Sequence, residues 1–319
     1  MKRLLLIVTL LTAIQFVQAQ DKIKASEKLQ IQKVASVVLK DIHTDFNPQL
    51  LTLEMPAPGS ESYRRHLIDL KEALYGNGKY MPTATRLNDT ALLAAPEILT
   101  GWEGNIMGTG VPNDNDMAIS NDGKIISVIN SSIYIYNSDG SFLYSVSLSA
   151  FCDTLGNAYS KFDPKVLYDP RADKFVLLFL AGFTPEQTNV IIAFSETNDP
   201  LGEWNFYALP GNPKNNDRWT DFPMFALTEE ELFLTINLII PDEPWQTGFS
   251  ETLIWQMSLD KGYNGDTIDA VYYDSIFFAG NPIRNLNPVR GGSTTYGPDM
   301  YFLSNRNFAE SNDTIFIVH

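Results

Sequence analysis

The spacing of apolar residues divides the chain into three stretches with different periods. Leu4 to Val17 is almost unbroken apolar chain behind Lys2 and Arg3. From Asp21 to Asp45 the apolar residues Ile23, Leu29, Ile31, Val34, Val37, Val38 and Ile42 recur at mixed three- and four-residue steps, which predicts an amphipathic helix ending before Asn47-Pro48. A second helix is predicted from about Ser60 to Tyr75, with Ser60 as N-cap, Tyr63, Leu67, Leu70 and Leu74 on one face, and Gly76 as a left-handed C-cap. Beyond residue 98 the pattern changes to short apolar or alternating runs bounded by Gly, Asn, Asp and Pro. Lys124–Ile129, Ser132–Tyr136, Ser141–Leu148, Lys174–Leu180, Val190–Ser195, Asn205–Leu209, Glu231–Asn237, Leu253–Ser258, Asp299–Leu303 and Thr314–Val318 are read as strands.

The first stretch has the make-up of a signal peptide. It has a basic start, about 14 apolar residues, which is too few to span a bilayer, and small residues around Val17-Gln18-Ala19. The chain is therefore expected to be secreted or displayed at the cell surface, with 1–19 as leader, 20–97 as a helical N-terminal region and linker, and 98–319 as the main domain. No membrane span is expected after the leader is removed.

A repeat runs through that main domain. Asp116 to Asn130 has counterparts in Asp163 to Phe179 and Asp221 to Asn237, and a degenerate fourth copy runs from Asn287-Pro288 to Asn305. Each copy reads acidic or amide residue, short strand, polar turn, apolar strand. Returning units of roughly blade size predict an all-β fold, a β-propeller of four recognisable blade units, rather than a sandwich. The final run, Thr314 to His319, has no terminating turn, so the expectation includes a propeller that is incomplete in this sequence.

Gly101-Trp-Glu-Gly104, Val111-Pro-Asn-Asp114 and Ala118-Ile-Ser-Asn-Asp-Gly-Lys-Ile-Ile-Ser-Val-Ile-Asn-Ser-Ser132 resemble the opening of a group of secreted bacterial β-propeller proteins, in which an aromatic-Glu-Gly, a Pro-Pro-Asp, a short strand and a Val-Asn step follow one another. Asp163-Pro164, Ser195 to Trp204 and Asp221-Phe-Pro223 extend the likeness over roughly 98–319. Some members of that group are cargo of the type IX secretion route, and the resemblance implies fold and export more than activity. Ser195-Glu-Thr-Asn-Asp199-Pro-Leu-Gly202-Glu-Trp204 also resembles the Asp-box turn of sialidase-like propellers, with wider spacing and a missing Thr. Such a turn is a folding device.

Composition narrows the chemistry. Lys and Arg number 23 against 38 Asp and Glu; without the leader the balance is 21 to 38, a net charge of −17. That charge disfavours nucleic acid and anionic membrane as partners, since both reward positive surface. One cysteine, Cys152, excludes an internal disulfide and a cysteine-built zinc site, and it reads as a buried small side chain. Three scattered histidines exclude a histidine-rich metal centre.

The sharpest candidates for chemistry are the repeated acids. In a propeller the innermost strands line the central channel, so Asp116, Asp163 and Asp221 are expected to converge at one mouth. Converging carboxylates raise one another's pKa and suit a hard cation or acid/base work on a sugar. Set against this, an Asp at a turn commonly caps backbone N–H groups. Trp245, in the long insertion Pro241–Ser250, is a candidate to stack on a sugar or anchor a protein. Asp114-Asn-Asp116 and Asp260 to Asp266 suggest calcium loosely, though neither has the spacing of an EF-hand loop; no cofactor is expected. Asp-Ser/Thr followed by an aliphatic or small residue recurs at Thr90, Thr154, Thr267, Ser275 and Thr314 and resembles a bacterial O-glycosylation acceptor; acid–hydroxyl pairs also suit turn-to-strand junctions. No acid, base and nucleophile occur at a recognisable spacing. The leading expectation is a non-catalytic binding or scaffold module that engages glycan or extracellular protein. The alternatives are a glycoside hydrolase-like enzyme using Asp163 and Asp221, with Asp116 beside them, and a structural part of a larger surface protein.

Overall fold

The computed structural model describes residues 23–43, 65–66, 68–70, 72–73, 100–106, 112–156, 159–243, 247–292, 294–306 and 314–319. Within them the chain is all-β, built of several antiparallel sheets.

Sheet I is a meander of β4 (Asp116–Ile119), β5 (Lys124–Ile129), β6 (Ser132–Asn137) and β7 (Phe142–Ser147). Sheet II repeats it with β8 (Lys161–Asp169), β9 (Lys174–Ala181), β10 (Asn189–Ser195) and β11 (Glu203–Pro210), and sheet III with β12 (Trp219–Leu227), β13 (Glu231–Ile239), β14 (Phe249–Ser258) and β15 (Ile268–Asp274). Sheet IV comprises β18 (Asn287–Pro288), β19 (Phe302–Asn305) and β20 (Ile315–Val318), after a small β16 (Phe277–Phe278) and β17 (Asn281–Pro282) hairpin.

The sheets are stacked in chain order with their faces against one another. One core cluster joins Ile126, Val128, Ile133 and Ile135 of sheet I to Phe175, Leu177 and Phe179 of sheet II. The next joins Val176, Leu178 and Leu180 of sheet II to Leu232, Leu234 and Ile236 of sheet III. A third joins Phe233 and Ile254 of sheet III to Phe302 and Val318 of sheet IV. Phe175 to Ala181 is an unbroken apolar run for this reason: its odd positions face sheet I, its even positions face sheet III, and all seven are buried. The first strands pack together in sequence, β4 on β8, β8 on β12 and β12 on β18.

The expected helix over 21–45 is not formed. Residues 24–38 instead make three edge strands: β1 (Lys24–Ala25) and β2 (Leu29–Ile31) pair with β15, and β3 (Lys33–Val38) pairs with β11. The true period is two. Leu29, Ile31, Ala35, Val37 and Leu39 point inward, whereas Val34 is half exposed. Apolar residues on both faces imitated a helical spacing, and tertiary pairing of the β-branched run prevailed. The segment crosses the outer rim of three sheets in turn. Ser26 N–H donates to Tyr272 O of β15 at 2.8 Å, Leu39 N–H to Gly202 O beside β11 at 3.0 Å, and the Tyr144 hydroxyl of β7 to Ile42 O. Of the second predicted helix, residues 65–66, 68–70 and 72–73 are helical.

Candidate functional site

Each first strand has a residue in the left-handed region just before it or within its first four residues: Asp114 (φ 39°), Asp163 (φ 51°), Phe222 (φ 52°) and Asn285 (φ 53°). Asp and Asn tolerate this region best among residues with a Cβ, which accounts for three of the four choices. Asp163-Pro164 and Phe222-Pro223 fall in matching irregularities of register, between Phe162 and Lys165 and between Asp221 and Met224. The structural equivalents are therefore 114, 163, 222 and 285. Aligning the repeat on Asp116, Asp163 and Asp221 is off by two residues in the first copy and by one in the third.

These entrances are clasped by asparagines at the ends of second strands. Asn130, following β5, donates Nδ2 to the Asp114 carboxylate at 2.9 Å and to Pro112 O at 3.3 Å, and its Oδ1 accepts the Asp163 backbone N–H at 2.9 Å. Asn237 in β13 occupies the same position two interfaces further on. Its Oδ1 accepts the Asn285 backbone N–H at 3.3 Å and the Thr252 hydroxyl at 2.8 Å, while its Nδ2 donates to Asn285 Oδ1. Between sheets II and III the corresponding strand, β9, ends in apolar residues, and the buried Thr188 hydroxyl accepts Thr220 N–H at 3.0 Å instead.

Three carboxyl groups from three sheets meet beside these clasps. Asp163 is held well above the ordinary carboxylate range, chiefly by burial and then by the charges of Asp221 and Asp114. Asp221 is also raised by burial, against the opposing pull of the Phe222 backbone N–H and the Arg284 guanidinium. Asp163 feels the charges of both Asp221 and Asp114, and like charges brought this close favour its protonated form. Asp116, the third expected member, faces elsewhere. Its Oδ2 accepts the Val166 N–H of sheet II at 3.3 Å and pairs with Arg290 of sheet IV at 3.4 Å. Arg290 also donates Nε to Phe225 O at 3.0 Å, so one side chain ties sheets I, III and IV together.

The remaining candidates sort by position. Among the described residues no group of three or more His, Cys, Asp and Glu side chains is placed to hold a metal ion. The 260–266 stretch is a short helix, Leu259–Asn264, capped by Gly265 in the left-handed region, and Asp260 pairs with Arg171 at 2.8 Å. The stretch loosely suggested as a calcium loop is thus a short helix with its left-handed cap. The Asp-box-like turn folds on itself: Asp199 Oδ1 accepts Leu201 N–H at 3.0 Å, and buried Trp204 donates to Pro200 O at 2.9 Å. Burial pushes the Cys152 thiol up to about 11. Thr154 is exposed, Thr267 donates to Gln32 Oε1 at 2.9 Å, Ser275 donates to Asp274 Oδ1 at 2.8 Å, and Thr314 is half-buried. Trp245 and Thr90 lie outside the described residues.

Sequence reasoning named Asp114 only as part of a loose calcium site and missed Asn130, Asn237, Arg284, Asn285 and Arg290. A signal for two of them was present, since both Val-Ile-Asn130 and Thr-Ile-Asn237 close a copy of the repeat. Arg290 lies in the degenerate fourth copy, where the motif gives no register, and Arg284 and Asn285 lie just before it.

No helix among the described residues is long and apolar enough to cross a membrane. Comparison with known families, curated proteins and solved structures finds no match to the chain.

Proposed function

We propose that the chain is an exported β-propeller that acts as a non-catalytic binding or scaffold module for glycan or extracellular protein. Consecutive antiparallel meanders, stacked face to face with their first strands in contact, support the propeller reading. The observation that carries the non-catalytic reading is the engagement of the acids. Asp116 is bound by Val166 N–H and Arg290, and Asp114 by Asn130, so these side chains fasten neighbouring sheets. Asp and Asn in these places serve assembly of the stack.

One observation favours the glycoside hydrolase-like alternative. A carboxyl that keeps its proton beside a second carboxylate, as Asp163 does beside Asp221, has the property required of a general acid. The exported chain, Asp163→Ala and Trp245→Ala are compared against a polysaccharide panel for binding and for release of reducing ends. Binding without turnover, lost in Trp245→Ala, is the expected result. Turnover abolished by Asp163→Ala overturns the non-catalytic reading. Export also brings the Asp-Ser/Thr hydroxyls within reach of O-glycosylation; Thr154→Ala reduces the intact mass by one glycan if the exposed Thr154 is modified.

A further inference from the structure

We propose that residues 23–42 form a closing strap that docks last and only after the leader is removed, an inference that rests on the export reading above. The partners of this segment lie far along the chain. Lys24 pairs with Asp274, Ile31 with Ile268, and Val37 with Trp204. The edges it completes, β15 and β11, are the fourth strands of sheets III and II, so neither docking place exists until those meanders have formed. Side chains of the segment then enter three separate core clusters: Ile23 at sheets III and IV, Ile31 at sheets II and III, Val37 and Leu39 at sheets I and II. One strap fastens all three interfaces from the rim, opposite the asparagine clasps.

Only Gln20, Asp21 and Lys22 separate Ala19 from Ile23. Three extended residues reach about 10 Å. While the leader stays in a membrane, docking of Ile23 would press the folded body against the lipid surface. That body carries a net charge of −17 and is repelled by anionic headgroups. Cleavage releases this constraint, lets the strap close the rim and makes the exported form the more protected one.

The test compares hydrogen exchange in the chain starting at Gln20 with exchange in the full chain carrying Ala19→Lys, which blocks cleavage, inserted in vesicles of phosphatidylethanolamine and phosphatidylglycerol. Amides of β11 and β15 are expected to exchange roughly tenfold faster in the uncleaved chain, with β5 and β13 alike in both. Equal protection of β11 and β15 in the two forms overturns the proposal. Val37→Ser in the cleaved chain loosens docking without deleting it and is expected to raise exchange at β11; unchanged exchange there also overturns it. Sequencing the N-terminus of the exported protein separates the two readings, because a start far from Gln20 removes the leader assignment and leaves the strap pairing to be judged by Val37→Ser alone.

Discussion

The side-chain carbonyl of Asn130 accepts the backbone N–H of Asp163 across the interface of sheets I and II at 2.9 Å, and Asn237 does the same for Asn285 across sheets III and IV at 3.3 Å. Asn130 follows β5 and Asn237 lies near the end of the equivalent β13, and each meets a residue whose backbone is left-handed. A chain entering a strand in that conformation turns its N–H away from its own ladder. An amide from the neighbouring sheet is then needed to satisfy it. The repeated motif is thus a device for joining sheets as much as for making them.

Removing either asparagine leaves that N–H unsatisfied. Asn130→Ala and Asn237→Ala are each expected to lower the unfolding free energy by about 1–3 kcal/mol, because a half-buried donor loses its partner and other bonds to the same amide disappear. Asn121→Ala, at an exposed turn position, should change it by less than about 0.5 kcal/mol. Urea unfolding monitored by tryptophan fluorescence reads both. Losses at Asn130 and Asn237 no larger than at Asn121 would remove the clasp.

The raised carboxyl groups of Asp163 and Asp221 give stability a definite pH dependence. Asp163 and Asp221 both have raised folded-state pKa values, so in the window above the ordinary 3.8 the folded chain binds more protons than the unfolded one. Their contribution is fully present below that value and is lost as pH rises through the folded-state pKa. Asp163→Asn keeps the hydrogen-bonding shape and the tolerance for a left-handed backbone while removing the charge. It should match the wild type at about pH 4 and exceed it at about pH 8 by on the order of 1–2 kcal/mol, discounted because Asp163 is only half-buried. A variant that is destabilised at both pH values would show that the carboxylates are not repelling one another.

Much of the strand pattern was legible in the sequence. Expected strands at Lys124–Ile129 and Ser132–Tyr136 coincide with β5 and β6 to within a residue. Strongly apolar second and third strands, bounded by Asp-Gly or Pro-Arg-Ala-Asp turns, announce themselves because both faces are buried. The first strands were read only as the start of a repeat. β4 and β8 carry polar residues at the stack's centre, and β8 and β12 are interrupted by Pro164 and Pro223, so neither period nor propensity marks them. The strap was misread because its two-residue period is masked by Val34 and Val38. The site was partly legible. Asp163 and Asp221 do approach each other, whereas Asp116, chosen for its place in the motif, turns to Arg290. Sequence alignment does not show the one extra residue inserted at each irregularity, at Asp163-Pro164 and at Phe222-Pro223.

Cys152 should be inert in the folded chain. Its sulfur is fully buried, donates to Leu148 O at 3.1 Å, and its pKa is pushed up to about 11 by burial, so almost none of it is thiolate at neutral pH. A thiol-reactive disulfide reagent is expected to release its chromophore only after denaturant is added. Stoichiometric reaction under native conditions would place Cys152 at the surface or in a segment that opens readily.

The outward face of sheet IV presents Ile315 at 71% and Ile317 at 65% exposure, beside Leu303 at 41%. Their neighbours Phe316 and Val318 point the other way, into the cluster with sheet III. An alternating strand with aliphatic residues on its solvent side is prone to pair with other chains. Charge at those positions should block such pairing without touching the core, since Ile315 and Ile317 bury little area to lose. Ile315→Lys with Ile317→Lys is therefore expected to suppress light scattering on heating while changing the unfolding free energy measured in urea by less than about 0.5 kcal/mol. Val318→Lys, on the buried face of the same strand, should instead cost about 2 kcal/mol or more by placing a charge in that cluster. If the exposed and buried substitutions destabilise the chain equally, then sheet IV is covered on both faces in solution and its outer aliphatic row is part of an interface.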